Sequence, residues 1–217
     1  MTGFRIRELG NRDFSEVWAQ MQQFTDRRSN TTDDEVWFVE HPPVYTLGLN
    51  ADRAHVLSAG EVPVVETDRG GQVTYHAPGQ QVAYVLFDMR RLGLDIRSLV
   101  QALESAVIDT VAQYRVNAYA RRDAPGVYVD HKKLGAVGLR VRRGCTYHGI
   151  AVNVNMDLEP FSRINPCGME GLEVTQLADI CNVSSLAEFR EDLAASLGDT
   201  FAVADDQALI QDLDAGS

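Results

Sequence analysis

Lysine is almost missing from this chain. Of its 217 residues only Lys132 and Lys133 carry a side-chain amine, and the other eighteen basic residues are arginines. Chemistry that needs a side-chain ammonium therefore has two adjacent positions to draw on. Cysteine is scarce too. Cys145, Cys167 and Cys181 make an odd number, with no Cys-x-x-Cys or His-x-x-x-His spacing. That argues against a disulfide framework and a structural zinc site, and no metal is expected. No run approaches the ~20 consecutive apolar residues that cross a bilayer, so no membrane partner is expected. The opening Met1-Thr2-Gly3-Phe4-Arg5-Ile6-Arg7 reads into a strand rather than an export signal, which places the protein in the cytoplasm. Positive charge is in deficit, with 20 basic against 31 acidic residues and a net charge of −11. A general nucleic-acid binder needs the opposite balance.

What is present suits a globular domain: 45% hydrophobic and 24% charged residues. Asp199, Asp205, Asp206, Asp212 and Asp214 follow Gly198 with no basic residue among them. We expect one domain over residues 1–198 and a solvated, flexible acidic tail over 199–217.

Asp13 and Glu16 mark a helix start, followed by Phe14, Val17, Trp18, Met21 and Phe24 at helical spacing. Glu35 to Glu40 reads as a strand stopped by His41-Pro42-Pro43, and Val44 to Leu47 as another ended by Gly48. Val62 to Thr67 is a strand running into the Asp68-Arg69-Gly70-Gly71 loop. Gln81 to Phe87 is apolar on both faces and predicts a central strand. Ile96, Leu99, Val100, Leu103, Ala106, Val107, Val111 and Tyr114 form the stripe of the longest helix. Gly126 to Asp130, Leu134 to Val141 and Cys145 to Val154 predict an antiparallel meander. A last helix starts at Ser184 or Ser185, turns Leu186, Phe189, Leu193 and Leu197 inward, and stops at Gly198. Strands in runs, with helices before, between and after, give an α+β class: a mixed β-sheet flanked by helices. No Rossmann or Walker glycine pattern is present.

Four segments suggest chemistry. In Asn165-Pro166-Cys167-Gly168, proline fixes one backbone angle before the thiol and glycine frees the next residue. Such a turn exposes a nucleophile and gathers backbone N–H groups near it; a plain turn with an incidental cysteine is the alternative. A thiol of ordinary pKa, about 8.5, is only a few per cent thiolate at neutral pH, so a nucleophile there needs a nearby cation. Alternation along a strand lets one of the two lysines face inward. Lys133 adjoins the small residues Leu134-Gly135-Ala136-Val137-Gly138, which let a ligand approach the backbone. We expect Lys133 inside and Lys132 in solvent; two surface lysines at a hairpin are the alternative.

The third segment is Arg69-Gly70-Gly71-Gln72-Val73-Thr74-Tyr75-His76-Ala77-Pro78-Gly79-Gln80, whose paired glycines can wrap a ligand. Alternation puts Thr74 and His76 on one face and Tyr75 on the other. The fourth is Tyr147-His148-Gly149-Ile150-Ala151-Val152-Asn153-Val154-Asn155, where a strand histidine is either structural or a ligand contact. Cys145 and Cys181 read as small core residues. His41, His55 and His131 receive no role.

Taken together, these four segments resemble the lipoyl(octanoyl) transferase family, over roughly Glu35 to Leu177. The resemblance implies the fold of biotin and lipoate ligases. It implies transfer of an octanoyl group from acyl carrier protein to a specific lysine of a lipoyl domain, in 2-oxoacid dehydrogenase complexes or the glycine cleavage H protein. It implies no cofactor beyond the phosphopantetheine arm of the carrier. Cys167 matches the nucleophile, and Lys133 the lysine that activates it and moves protons. Arg69, Gly70, Gly71, Gln72, Val73, Thr74, Tyr75 and His76 match substrate-contacting positions, as do Ala136, Val137, Gly138, Gly149, Ile150 and Ala151; His148 is grouped with them. Ala77 stands where glycine is common. Nothing demands more than a monomer. An acidic carrier meeting an acidic chain predicts a local basic face from Arg140, Arg142 and Arg143, extended by Arg90, Arg91, Arg121 and Arg122. An ATP-dependent lipoate ligase, a non-catalytic carrier-binding module and, more weakly, a cysteine peptidase are the competing readings.

Overall fold

A computed structural model describes residues 3–183 and 185–214, with residues 203–214 as backbone alone. The chain runs through β1 (Arg5–Asn11), α1 (Phe14–Arg27), β2 (Glu35–Glu40), β3 (Val44–Leu47), β4 (Val64–Glu66), β5 (Val73–His76) and β6 (Gln80–Leu86). It continues through α2 (Met89–Leu92), α3 (Ile96–Gln113), β7 (Tyr119–Ala120), β8 (Val127–Val129), β9 (Lys132–Arg142), β10 (Cys145–Asn153) and α4 (Leu186–Asp214). The Asp13 carboxylate caps α1 by accepting from the Ser15 and Glu16 N–H groups at 2.8 and 3.1 Å.

A seven-stranded sheet has the order β1-β2-β6-β10-β9-β8-β7, and a three-stranded sheet the order β4-β3-β5. β1 and β2 pair parallel, as do β3 and β4, and the other neighbours are antiparallel. This is the mixed sheet expected, with β8, β9 and β10 forming the predicted meander.

The faces of the large sheet follow from side-chain alternation. Val36 and Phe38 on β2, with Ala83 and Val85 on β6, point to a core shared with Leu99, Leu103 and Val107 of α3 and Phe189, Leu193 and Leu197 of α4. Trp37 and Val39, with Val82, Tyr84 and Leu86, point the other way, onto Val17 and Met21 of α1. β6 is buried at every position because helices cover both faces of its sheet. Around the small sheet Tyr45, Leu47, Val73 and Tyr75 pack with Phe161 and Ile164.

The C-terminal expectation is corrected. Ser185 Oγ accepts from the Glu188 N–H at 3.1 Å and starts α4, but Gly198 does not end it, and the helix continues to Asp214. The stripe explains this. Phe201 follows Leu197 by four residues, is 3% exposed, and sets its ring 4.8 Å from that of Phe87. The tail expected from Asp199 onward is therefore helical through Asp214, and residues 215–217 lie outside the described residues, as does Ser184.

Candidate active site

Alternation at the start of β9 separates the two lysines. Lys132 is exposed and pairs with Glu173 at 3.0 Å, whereas Lys133 is 4% exposed. The segment around Val174 lies along this edge: the Lys133 N–H donates to Glu173 O and the Thr175 N–H to Lys133 O, each at 2.9 Å. That contact carries the preceding turn, Pro166–Gly168, over the amine. Cys167 adopts φ 57° between Pro166 and a glycine at φ 71°, a left-handed conformation uncommon for a residue with a Cβ. Lys133 Nζ donates to Cys167 Sγ at 2.8 Å and to Pro125 O at 2.9 Å, and sits 5.3 Å from the centre of the Tyr128 ring.

The turn is buttressed by His55, to which the sequence assigned nothing, and by Gln72. The Asn165 N–H donates to His55 O at 2.8 Å. Gly168 is pressed so close that a Cβ there would lie 3.0 Å from Gln72 Cγ and 3.3 Å from His55 Nε2. His55 thus belongs to the support of the cysteine, and no local pattern marks it.

Lys133 and Cys167 border a cleft of about 410 Å³ lined from both sheets. Phe14, Arg69, Gly70, Gly71, Gln72, Val73, Thr74 and His76 line it. Val82 and Tyr84 line it beside their cross-strand partners Ala151 and Gly149, together with Ala136, Val137, Gly138, His148 and Ile150. Of the residues singled out from sequence, Tyr75 alone is turned away. It is 3% exposed, with its ring 5.2 Å from Tyr45 and 5.5 Å from Phe161, and does not line the cleft. Its neighbours Thr74 and His76 do, as alternation predicted.

Arg69 is buried with its guanidinium committed: Nη2 donates to Thr46 O at 2.6 Å and Oγ1 at 2.9 Å, and Nη1 to Gly70 O at 3.0 Å. Burial pulls the group down to about 10, against the opposing influence of the Cys167 side chain, so it stays a cation at neutral pH. Arg69 is thus a second cation of the cleft, beside Lys133.

Asp68 gathers partners from two elements, α1 and β10. Trp18 Nε1 donates at 2.9 Å and Gln22 Nε2 at 3.3 Å, Tyr147 donates its hydroxyl, and His148 Nε2 lies 3.0 Å away. Burial pushes the Asp68 carboxyl up, but the bonds from His148, Tyr147 and Trp18 outweigh it and hold the group well below the usual carboxylate range. Consecutive strand residues reach one carboxylate because His148 has φ 63°, which breaks the alternation of β10. Burial keeps His76 neutral, pulled down to about 3 between Gln80 Oε1 and Thr46 Oγ1, and pulls His41 to about 4.

The expected basic face is largely self-paired. Arg142 pairs with Asp26 at 3.0 Å, Arg90 with Asp88 at 3.2 Å, Arg121 with Asp123 at 2.6 Å and Arg91 with Asp34 at 3.7 Å. Arg122 and Arg143 are exposed, and Arg140 is half-buried.

Residues 13–198 match the model of the lipoyl protein ligase A/B catalytic domain. An octanoyltransferase of Alkalilimnicola ehrlichii is 58% identical over 194 residues, covering 89% of this chain and 90% of that one. The chain belongs to the octanoyltransferase family. Solved structures show the same fold beyond octanoyltransferases. A bipartite lipoate protein ligase from Thermoplasma acidophilum, analysed with its E2 lipoyl domain, superposes with a TM-score of 0.76 at 17% identity, over 93% of this chain and 85% of that one. The biotin protein ligase of Aquifex aeolicus superposes with a TM-score of 0.56 at 11% identity, over 95% and 72%.

Proposed function

We propose that this protein moves an octanoyl group from acyl carrier protein to a specific lysine of a lipoyl domain, by way of a thioester on Cys167. The observation that carries the reading is the 2.8 Å contact between Lys133 Nζ and Cys167 Sγ at the edge of an apolar cleft. The contact places a proton donor directly beside the nucleophilic sulfur.

The reaction is two displacements. The Cys167 thiolate attacks the octanoyl thioester and a C–S bond forms. The bond to the phosphopantetheine sulfur breaks, and the departing thiolate takes a proton from the Lys133 ammonium. The neutral amine of the acceptor lysine then attacks the Cys167 thioester and gives its proton to Lys133. Cys167 leaves as thiolate, which restores the starting pair. Exchange between thioesters is near thermoneutral and amide formation runs downhill, so no nucleotide and no cofactor is needed. The Gly70 N–H is spent on Leu139 O, and those of Gly168 and Met169 close the turn. We therefore assign the oxyanion to the backbone N–H groups of Gly71 and Cys167, two residues that line the cleft. The slot between Val82, Ala136 and Ala151 takes the alkyl chain, each buried methylene contributing about 0.8 kcal/mol.

The test is transfer from octanoyl carrier protein to a lipoyl domain, with and without ATP. Wild-type protein turns over without ATP and Cys167→Ser does not. Turnover by Cys167→Ser that depends on ATP and free octanoate would establish a ligase instead.

A further inference from the structure

We propose that Glu104 is a positioning residue for the Lys133–Cys167 pair, acting through the single peptide unit that joins Pro125 to Gly126. The inference rests on the reading above only in taking that pair as the reacting one.

Glu104 lies on α3 and is 4% exposed, an acid on a face otherwise made of Leu103, Val107 and Val111. Its Oε1 accepts from the Gly126 N–H at 2.6 Å. The carbonyl of that same peptide, Pro125 O, accepts from Lys133 Nζ at 2.9 Å. One peptide plane is therefore gripped at its N–H by an acid and at its C=O by the amine that holds the cysteine. Hydrogen bonds in such a chain polarise one another: an acceptor drawing on the N–H makes the carbonyl a stronger acceptor for the ammonium. The plane has no room to drift. Gly126 has φ 139°, and a Cβ there would lie 2.5 Å from both Lys133 Cε and Gly135 O. On the other side Tyr128 donates its hydroxyl to Ala124 O at 2.8 Å. Without an acceptor at position 104, the Gly126 N–H is left buried and unpaired, and the peptide turns to find a partner. Lys133 then loses one of its two anchors. Charge around Glu104 comes from Lys133 on β9, and from Arg97, Arg121 and Arg122, which line an outer groove with it.

The scarcity of lysine supplies the readout. With lysine labelled at ¹³Cε, the spectrum holds two side-chain signals, and Lys133 is set apart by the Tyr128 ring. In Glu104→Ala the Lys133 signal moves and the Lys132 signal stays. The kcat for octanoyl transfer falls by about tenfold, with KM for the octanoyl donor within about twofold. Glu104→Gln, which keeps an acceptor, returns the signal and brings kcat to within about threefold of wild type. If Glu104→Ala fails to fold, Glu104→Met fills the same volume without an acceptor and replaces it. An unmoved Lys133 signal or an unchanged kcat in the acceptor-free variant overturns the proposal. So does a Glu104→Gln protein as slow as that variant. The signal is read without substrate, so a protein that failed to transfer octanoyl groups would leave this part of the test intact.

Discussion

Lys133 and Cys167 are 34 residues apart in the chain, and Lys133 Nζ lies 2.8 Å from Cys167 Sγ. The amine stands at the start of a strand and the thiol on a left-handed turn. They meet because the segment around Val174 hydrogen-bonds along the edge of β9 just after that turn. The two lysines share a hairpin but not a role, and this gives the simplest prediction. Lys133→Met lowers octanoyl transfer by about 10²–10⁴-fold, the usual range for a lost proton-transfer group. Lys132→Met leaves it within about twofold, because an exposed pair with Glu173 contributes little. Steady-state rates for the two variants, measured side by side, check this.

Asp68 predicts a dependence of stability on pH. Its hydrogen bonds hold the folded-state carboxyl below its unfolded value of about 3.9. The sign follows from linkage: the contribution is fully present above that value and is lost as pH falls below it. Asp68→Asn should therefore cost about 2 kcal/mol at pH 7. The difference in Tm between variant and wild type should begin to narrow as pH falls below about 4 and keep narrowing at lower pH. A gap that stays constant over that range would show that the carboxylate charge contributes nothing.

The cleft predicts chain-length selection. Ala151 is 5% exposed and pairs with Val82 on β6 and Ala136 on β9, in a row of small and medium side chains. Ala151→Leu fills the slot and should lower octanoyl transfer relative to butanoyl transfer. Each excluded methylene is expected to cost roughly fourfold in kcat/KM. Competition between the two acyl donors reads this ratio directly.

Much of this architecture is legible in the sequence, for identifiable reasons. β2 and β3 end where proline and glycine stop them, and β6 is central because both its faces are apolar. Strand alternation allowed one lysine inward and paired Thr74 with His76, and the small residues after Lys133 decided which lysine it was. The same rule fails at His148, where a left-handed backbone puts consecutive side chains on Asp68. The stop at Gly198 failed because one glycine does not end a helix whose apolar stripe continues, here to Phe201. His55 and Glu104 escaped because their partners come from distant segments and no local pattern marks them. Asp68 and Arg69 lie in the glycine loop that the sequence singled out, but their partners on α1, β3 and β10 are distant in the chain.

Under the proposed reaction an acidic carrier would dock on arginines that form no ion pair among the described residues. Arg122 is exposed and precedes the Asp123–Pro125 segment that lines the cleft. Arg122→Glu should raise KM for octanoyl carrier protein at low salt, flatten its salt dependence and leave kcat within about twofold. Unchanged KM across a salt series would remove Arg122 from the docking surface.

Intact-mass analysis after incubation with octanoyl carrier protein, with no lipoyl domain present, tests the acyl-enzyme most directly. The account predicts one added octanoyl group, localised to Cys167, removed by hydroxylamine and absent from Cys167→Ser. Transfer to a lipoyl domain in a later step, with no octanoyl group ever found on Cys167, would contradict it.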